Sequence, residues 1–224
     1  HYIEANCKDK AIEAAILARK WEKAIDLANK APYEVAKPYF ADIGDHYAAL
    51  HKMDLAEKYY LKAGEPILCL SMYIRYSKWD KAEQLAKKHL QEDKYKDLIA
   101  KEAESFENIG KYKEAEKLYI IAEEFDVAIT MYKEAKQYDN MLRLVKKFRP
   151  DYLNDTHLMV ANLLCNDSNT NLKQAELHYL EAGAWSQCAE MYKNFELWED
   201  ALRIAKSYGN REEVNSLSKV WVKD

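Results

Sequence analysis

His46 and His51 lie five residues apart, and Asp42, Asp45, His46 and Tyr47 fall within one short stretch. The histidines could ligate a metal, and the second set could move protons. Two histidines on a helix share a face when they are four apart, and a spacing of five rotates them away from each other. Acid–base work needs polar groups converging in a cleft. Here Tyr47 falls on a repeating core position and Asp45 on the exposed side of its helix. The chain has no Gly-rich phosphate loop and no nucleophile motif. The four residues therefore read as a solvated helix face. Turnover of any substrate that His46→Ala abolishes would reverse this reading. Cys7, Cys69, Cys165 and Cys188 are far apart and form no CxxC pair, so neither metal nor disulfide is expected. No catalytic residue, metal site, cofactor or small-molecule substrate is expected.

The elements that would position such residues follow from composition. The 224 residues include only 5 Gly and 4 Pro, with 49% hydrophobic and 32% charged residues. Scarce turn formers suit long helices with tight joints better than a sandwich or barrel. Lys and Arg number 34 against 38 acidic residues, for a net charge of −4. No basic stripe stands out, so nucleic acid is not an expected partner. No apolar run is long enough to span a bilayer, and no signal peptide is visible. The triplets at Asn154 and Asn166 match a glycosylation acceptor by chance, and the first reads as a helix start.

One phrase recurs: an aromatic, two polar residues, an alanine, and an apolar residue three further on. It occurs at Trp21/Ala24/Leu27, Trp79/Ala82/Leu85, Tyr112/Ala115/Leu118 and Trp198/Ala201/Ile204. The small-residue slot falls at positions 11, 24, 56, 69, 82, 115, 128, 141, 175, 188 and 201. Its spacing closes on itself: 24 to 82, 82 to 141 and 141 to 201 are 58, 59 and 60 residues. A step of 13 holds a short helix and a joint. A step near 33 holds one further helix, expected at Tyr39 to Leu50, Leu98 to Ile109 and Leu158 to Cys165. About 15 helices result. Where helix backbones cross closely, only a small side chain fits, and a large one opposite must fill the groove. Gly64 before Pro66 marks a helix stop and a Pro-started helix. Gly110 and Gly183 mark other ends, Pro150-Asp151 a break, and 166–171 a polar loop. The expected fold is all-α, an α–α superhelix of antiparallel helix pairs. The expected organisation is a single continuous solenoid segment over 1–224, truncated at both ends because the chain opens on His1.

These residues carry a resemblance. Gly44, Tyr47, Ala56, Tyr60 and Ala63, and again Ala103, Phe106, Gly110, Tyr112, Ala115, Tyr119 and Ala122, resemble the tetratricopeptide pattern. Ala175, Tyr179 and Ala182 match its second helix. Ala161 departs from it, lying 14 residues before Ala175 where Gly44 lies 12 before Ala56. Three stretches resemble the solenoids of intraflagellar transport complex B: Phe125 to Lys133, Tyr138 to Val145 and Pro150 to His157. Lys10 to Arg19 is similar to the same family. The resemblance implies a non-catalytic scaffold segment in a ciliary train, used in cilium assembly and maintenance. It implies partners among other complex B subunits, with complex A as a further candidate, and a place at the cilium or flagellum and basal body on the cytoplasmic side. The alternatives are a vesicle-coat or other ciliary trafficking solenoid and, in a different class, a non-catalytic helical-repeat subunit of an enzyme.

By analogy with tetratricopeptide grooves, the inward positions of the first helices are Asp45, Asp97, Glu104, Glu107 and Asn108, with Ala41, Ala48, Ala49 and Ala100 among them. That face is acidic. A groove that clamps a C-terminal carboxylate needs Lys, Arg and Asn instead. The expected partner is therefore basic or helical. The apolar stripe of Lys81 to His89 is already used by the ladder, so membrane contact has only charge in its favour. Val214, Leu217, Val220, Trp221 and Val222 form an apolar stripe expected to self-associate weakly.

Overall fold

The computed structural model describes residues 2–90, 93–166 and 171–221, with 15 α-helices and no strand among them. They divide into two compact units, His1–Glu123 and Glu124–Asp224. The first unit holds α1 (Tyr2–Leu17), α2 (Trp21–Lys30), α3 (Tyr33–Ala49), α4 (Met53–Ala63), α5 (Pro66–Arg75), α6 (Trp79–His89), α7 (Asp93–Asn108) and α8 (Tyr112–Ile121). The second holds α9 (Phe125–Glu134), α10 (Tyr138–Phe148), α11 (Leu153–Asn166), α12 (Leu172–Glu181), α13 (Trp185–Asn194), α14 (Trp198–Tyr208) and α15 (Arg211–Trp221). Within each unit, helices adjacent in sequence pack side by side, most extensively α3 on α4, α7 on α8, α11 on α12 and α13 on α14. This is the all-α repeat packing that the slot spacing implies.

The slot is the core. Ala24, Ala56, Cys69, Ala82, Ala115, Ala128, Met141, Ala175, Cys188 and Ala201 all have no exposed surface, and only Ala11 is half-buried. Four residues beyond a slot, Tyr60, Tyr73, Tyr119, Tyr132, Tyr179 and Tyr192 are buried too. A small side chain followed one turn later by a large one places both on the same helix face. In the first unit one cluster gathers Ile12, Ala28, Ala36, Phe40, Ile43 and Tyr59. In the second, Ala161, Ala175, Tyr179, Cys188, Tyr192 and Ile204 share another. Gly44 has a specific reason to lack a side chain: a Cβ there would lie 2.7 Å from Cδ1 of Tyr60.

Nine of the eleven slot residues follow the same joint. Five residues before each stands a left-handed residue: Arg19, His51, Gly64, Ser77, Gly110, Glu123, Lys136, Gly183 and Glu196 among the described residues. The amide of the next residue bonds back around the turn, as in Glu65 to the Tyr60 carbonyl (3.0 Å), Lys78 to Tyr73 (2.8 Å) and Leu197 to Tyr192 (2.9 Å). This closes the last helical turn and satisfies carbonyls that would otherwise be orphaned. Only three of the nine are glycines. A composition poor in Gly is thus compatible with frequent tight joints, because side-chain-bearing residues take positive φ and the closing bonds offset that strain.

Three helices are longer than the apolar pattern indicates. The helix expected from Tyr39 begins at Tyr33 and carries Pro38 inside it. Pro32 ends the preceding segment with extended backbone (ψ 143°), and the following turns form despite the amide that Pro38 lacks. Likewise α7 starts at Asp93 and α11 at Leu153, next to a 3-10 turn at Pro150–Tyr152. There Thr156 donates back to the Tyr152 carbonyl at 2.7 Å. The polar stretch 166–171 falls mostly outside the described residues, although Asn171 caps α12 by accepting from the Gln174 amide at 3.1 Å.

Candidate partner-binding faces

The acid–base set does not converge. His46 stacks on Trp21 with ring centroids 4.4 Å apart, and burial lowers its pKa. Tyr47 stacks on Tyr59 at 5.5 Å. Asp45 accepts a hydrogen bond from Tyr60 Oη at 2.6 Å. Burial, then Asp45, raises the pKa of Asp42. His51 is not on the helix of His46: it occupies the left-handed joint after α3, its ring edge-on to Tyr76 at 5.1 Å. Asp45, His46, Tyr47 and His51 each serve a different contact.

The five acidic-face residues belong to two helices. Asp45 sits on α3. Asp97, Glu104, Glu107 and Asn108 sit on α7 at spacings of seven, three and one, which puts them with half-buried Ala100 on one side of the helix. Asp97, Glu104 and Asn108 are exposed. Glu107 is half-buried and accepts from Tyr119 Oη at 2.8 Å. Burial, that hydrogen bond and the charge of Glu104 push the Tyr119 hydroxyl far above its usual range. Two of the acids, Asp45 and Glu107, are thus committed to holding ladder tyrosines. Asp97 and Glu104 keep their charge toward solvent. Ala48 is buried and Ala49 exposed.

The ladder tyrosines follow one scheme that residue type alone does not reveal. Tyr73 bonds Glu57, Tyr192 bonds Glu176, and Tyr179 bonds Asn162 Oδ1 at 2.6 Å. Glu57 and Glu176 directly follow their slots, 16 residues before the tyrosine, and that spacing was visible in the sequence. Glu176 also takes two bonds from Arg203, at 3.0 and 2.7 Å. The hydrogen bond from Arg203 holds its carboxyl below the usual range against burial.

Two further groups give direct tests. Burial pushes the thiols of Cys69 and Cys188 up to about 12, and both sit in slots. Only thiolates react readily. A disulfide reagent at neutral pH will therefore modify exposed Cys7 first and spare Cys69 and Cys188 until the chain unfolds. Mass mapping of early labelling at Cys69 or Cys188 would contradict this. In the second unit, His157 of α11 and His178 of α12 face each other with their Nδ1 atoms 3.0 Å apart, so one must donate and the other accept. Burial lowers both pKa values, and His157 lowers that of His178 further, against Glu181 on α12 and Asp139 on α10. A lowered folded-state pKa means that the unfolded chain binds protons first. Stability is then full above about 6.5 and is lost as pH falls toward the folded values. The melting temperature will drop between pH 7 and 5.5, and His178→Asn will flatten that slope; an unchanged slope would refute the pair's role.

No described helix is long and apolar enough to cross a membrane. The exposed side of α15 carries Val220, with Val214 and Leu217 half-buried, whereas the side chain of Trp221 and all of Val222 lie outside the described residues.

No protein-family model matches the chain. Curated relatives match it throughout. It is 41% identical to intraflagellar transport protein 172 homolog of Mus musculus, across all of this chain and 13% of the relative. It is 37% identical to intraflagellar transport protein 172 of Chlamydomonas reinhardtii, over 99% of this chain. It is 34% identical to intraflagellar transport protein osm-1 of Caenorhabditis elegans, across all of this chain. Throughout its length the chain is similar to one segment of intraflagellar transport protein 172. It spans 13% of the length of these relatives. The match runs through the helices of both units.

Proposed function

We propose that this chain is a non-catalytic, protein-binding scaffold segment of an intraflagellar transport train subunit, acting in cilium assembly and maintenance. Full-length similarity to intraflagellar transport protein 172 relatives carries the reading. The fold supports it, because the ladder residues of each helix are packed against its neighbours, leaving the remaining, largely polar faces for partners. The partners proposed are other intraflagellar transport subunits, of complex B first and complex A second, at the cytoplasmic side of the cilium and basal body.

The proposed surface is the acidic side of α7, with Asp97 and Glu104 supplying charge and Asn108 a carboxamide, toward a basic or helical partner. Glu107 contributes by fixing Tyr119 of the neighbouring α8, whereas Asp45, on α3, fixes Tyr60 of α4. Affinity capture from ciliated cells tests the assignment: train subunits should be recovered with the parent chain and lost with the Asp97→Lys, Glu104→Lys double variant. Recovery of vesicle-coat subunits in their place would refute it. For the surface, equal affinity for acidic and basic peptides at both low and high salt would be fatal.

A further inference from the structure

The internal repeat supplies its own comparison. In the first unit a groove of about 440 Å³ is lined by residues of α3, α4 and α5 together with Tyr76, the residue following α5. In the second unit a groove of about 410 Å³ is lined from α11, α12 and α13 together with Phe195, which follows α13. The positions correspond: Tyr60, Met72 and Tyr76 of the first match Tyr179, Met191 and Phe195 of the second, each 119 residues on. Tyrosine, methionine and an aromatic are kept, and the tyrosines and methionines are buried. They build the groove. The exposed positions differ: Leu68 against Gln187, Ser71 against Glu190 and Arg75 against Asn194. What changes while the frame stays constant is what a partner would read.

Arg75 decides what the first groove reads. It ends α5, is exposed, and makes no hydrogen bond or ion pair with a described residue. The other charge lining that groove, Asp45, is engaged by Tyr60. Arg75 lies near enough to act electrostatically on the Tyr60 hydroxyl. Next to it, Tyr76 donates to the Ala48 carbonyl at 3.1 Å, which fixes the ring at the groove. Leu68 exposes an apolar side chain, and Ala48 and Ala49 are small enough for a close approach. A guanidinium fork matches a carboxylate in two parallel hydrogen bonds. In a chain of net charge −4, an uncommitted cation beside exposed apolar surface is complementary to an acidic partner.

We propose that the α3–α5 groove binds a segment of another protein that carries an Asp or Glu next to a large apolar side chain, with the carboxylate on Arg75 and the apolar group against Leu68 and Ala49. The proposal is independent of the acidic face of α7, and the second groove, with Asn194 at that position, should not share the preference.

A random peptide library displayed on phage and selected against the 224-residue chain tests it. Selected peptides should pair an acidic residue with Leu, Ile or Phe. A labelled winner, followed by fluorescence anisotropy, should weaken about tenfold or more on Arg75→Glu, the worth of one hydrogen bond to a charged group. Changing the peptide's carboxyl to an amide should cost as much. A lysine in its place should restore binding to the Arg75→Glu variant alone. Ala49→Trp should abolish binding by filling the groove, and Asp97→Lys with Glu104→Lys should leave it in place. Unchanged melting temperatures for the Arg75 and Ala49 variants certify folding, and Arg75→Gln substitutes if Arg75→Glu unfolds. Selection of basic or neutral peptides, recovery of none, or indifference to Arg75 overturns the proposal.

Discussion

Gly44→Val will lower the stability of the first unit by about 3 kcal/mol, the upper end of the usual cost of overpacking a core. A Cβ at this position meets three atoms of the Tyr60 ring at 2.7, 2.8 and 3.1 Å. The ring cannot retreat cheaply, because it is buried and its hydroxyl is tied to Asp45. Gly44→Ala is the milder case. Alanine gains about 1 kcal/mol of helix propensity over glycine, and that offsets part of the clash. With Tyr60→Leu in the background, Gly44→Ala should turn neutral or stabilising. A double-mutant cycle from denaturant melts will show the coupling. Hydrogen exchange should place the loss in α3 to α5. A parent-like melt for Gly44→Val would mean that the two helices do not meet as described.

The sequence carried the ladder because a ladder is a matter of size. A slot that tolerates no bulk restricts itself to Ala, Cys and an occasional thin Met, and the 13-residue steps expose it. The joints were legible only where glycine marks them, at Gly64, Gly110 and Gly183. At Ser77, Lys136 or Glu196 the left-handed turn is imposed by packing on both sides, and the residue type does not announce it. Pro38 hid the first turns of α3, because proline reads as a boundary unless tertiary contacts hold the helix through it. The acidic face was legible as charge but not as bonding. Asp45 and Glu107 stand 15 and 12 residues from the tyrosines they hold, and only the hairpin brings them together. Arg75 belongs to no motif. It becomes conspicuous when the first groove is laid against the second and the frame residues are found unchanged.

Tyr192 separates the packing contribution of the ladder from its polar contribution. Its ring is buried against Cys188 and the rest of the second unit's cluster. Its hydroxyl donates to Glu176, and Lys173 Nζ lies over the ring at 5.4 Å. Tyr192→Ala removes a fully buried aromatic and should cost about 3–5 kcal/mol. Tyr192→Phe keeps the ring and deletes one donor. Glu176 keeps two bonds from Arg203, so it is not orphaned, and the cost should stay at about 1 kcal/mol. Arg203→Met breaks an ion pair whose arginine is nearly half exposed, and solvent screening should hold its cost to about 1 kcal/mol or less. Acid distinguishes the last two. The depressed carboxyl of Glu176 supplies stability above about 4.5 that is lost as pH falls through its folded value. The main source of that depression is the hydrogen bond from Arg203, so Arg203→Met should flatten the acid limb more than Tyr192→Phe does. If Tyr192→Phe instead costs as much as Tyr192→Ala, the tyrosine–carboxylate bond rather than ring burial holds the repeat together. The aromatic ladder would then be a polar device with rings attached.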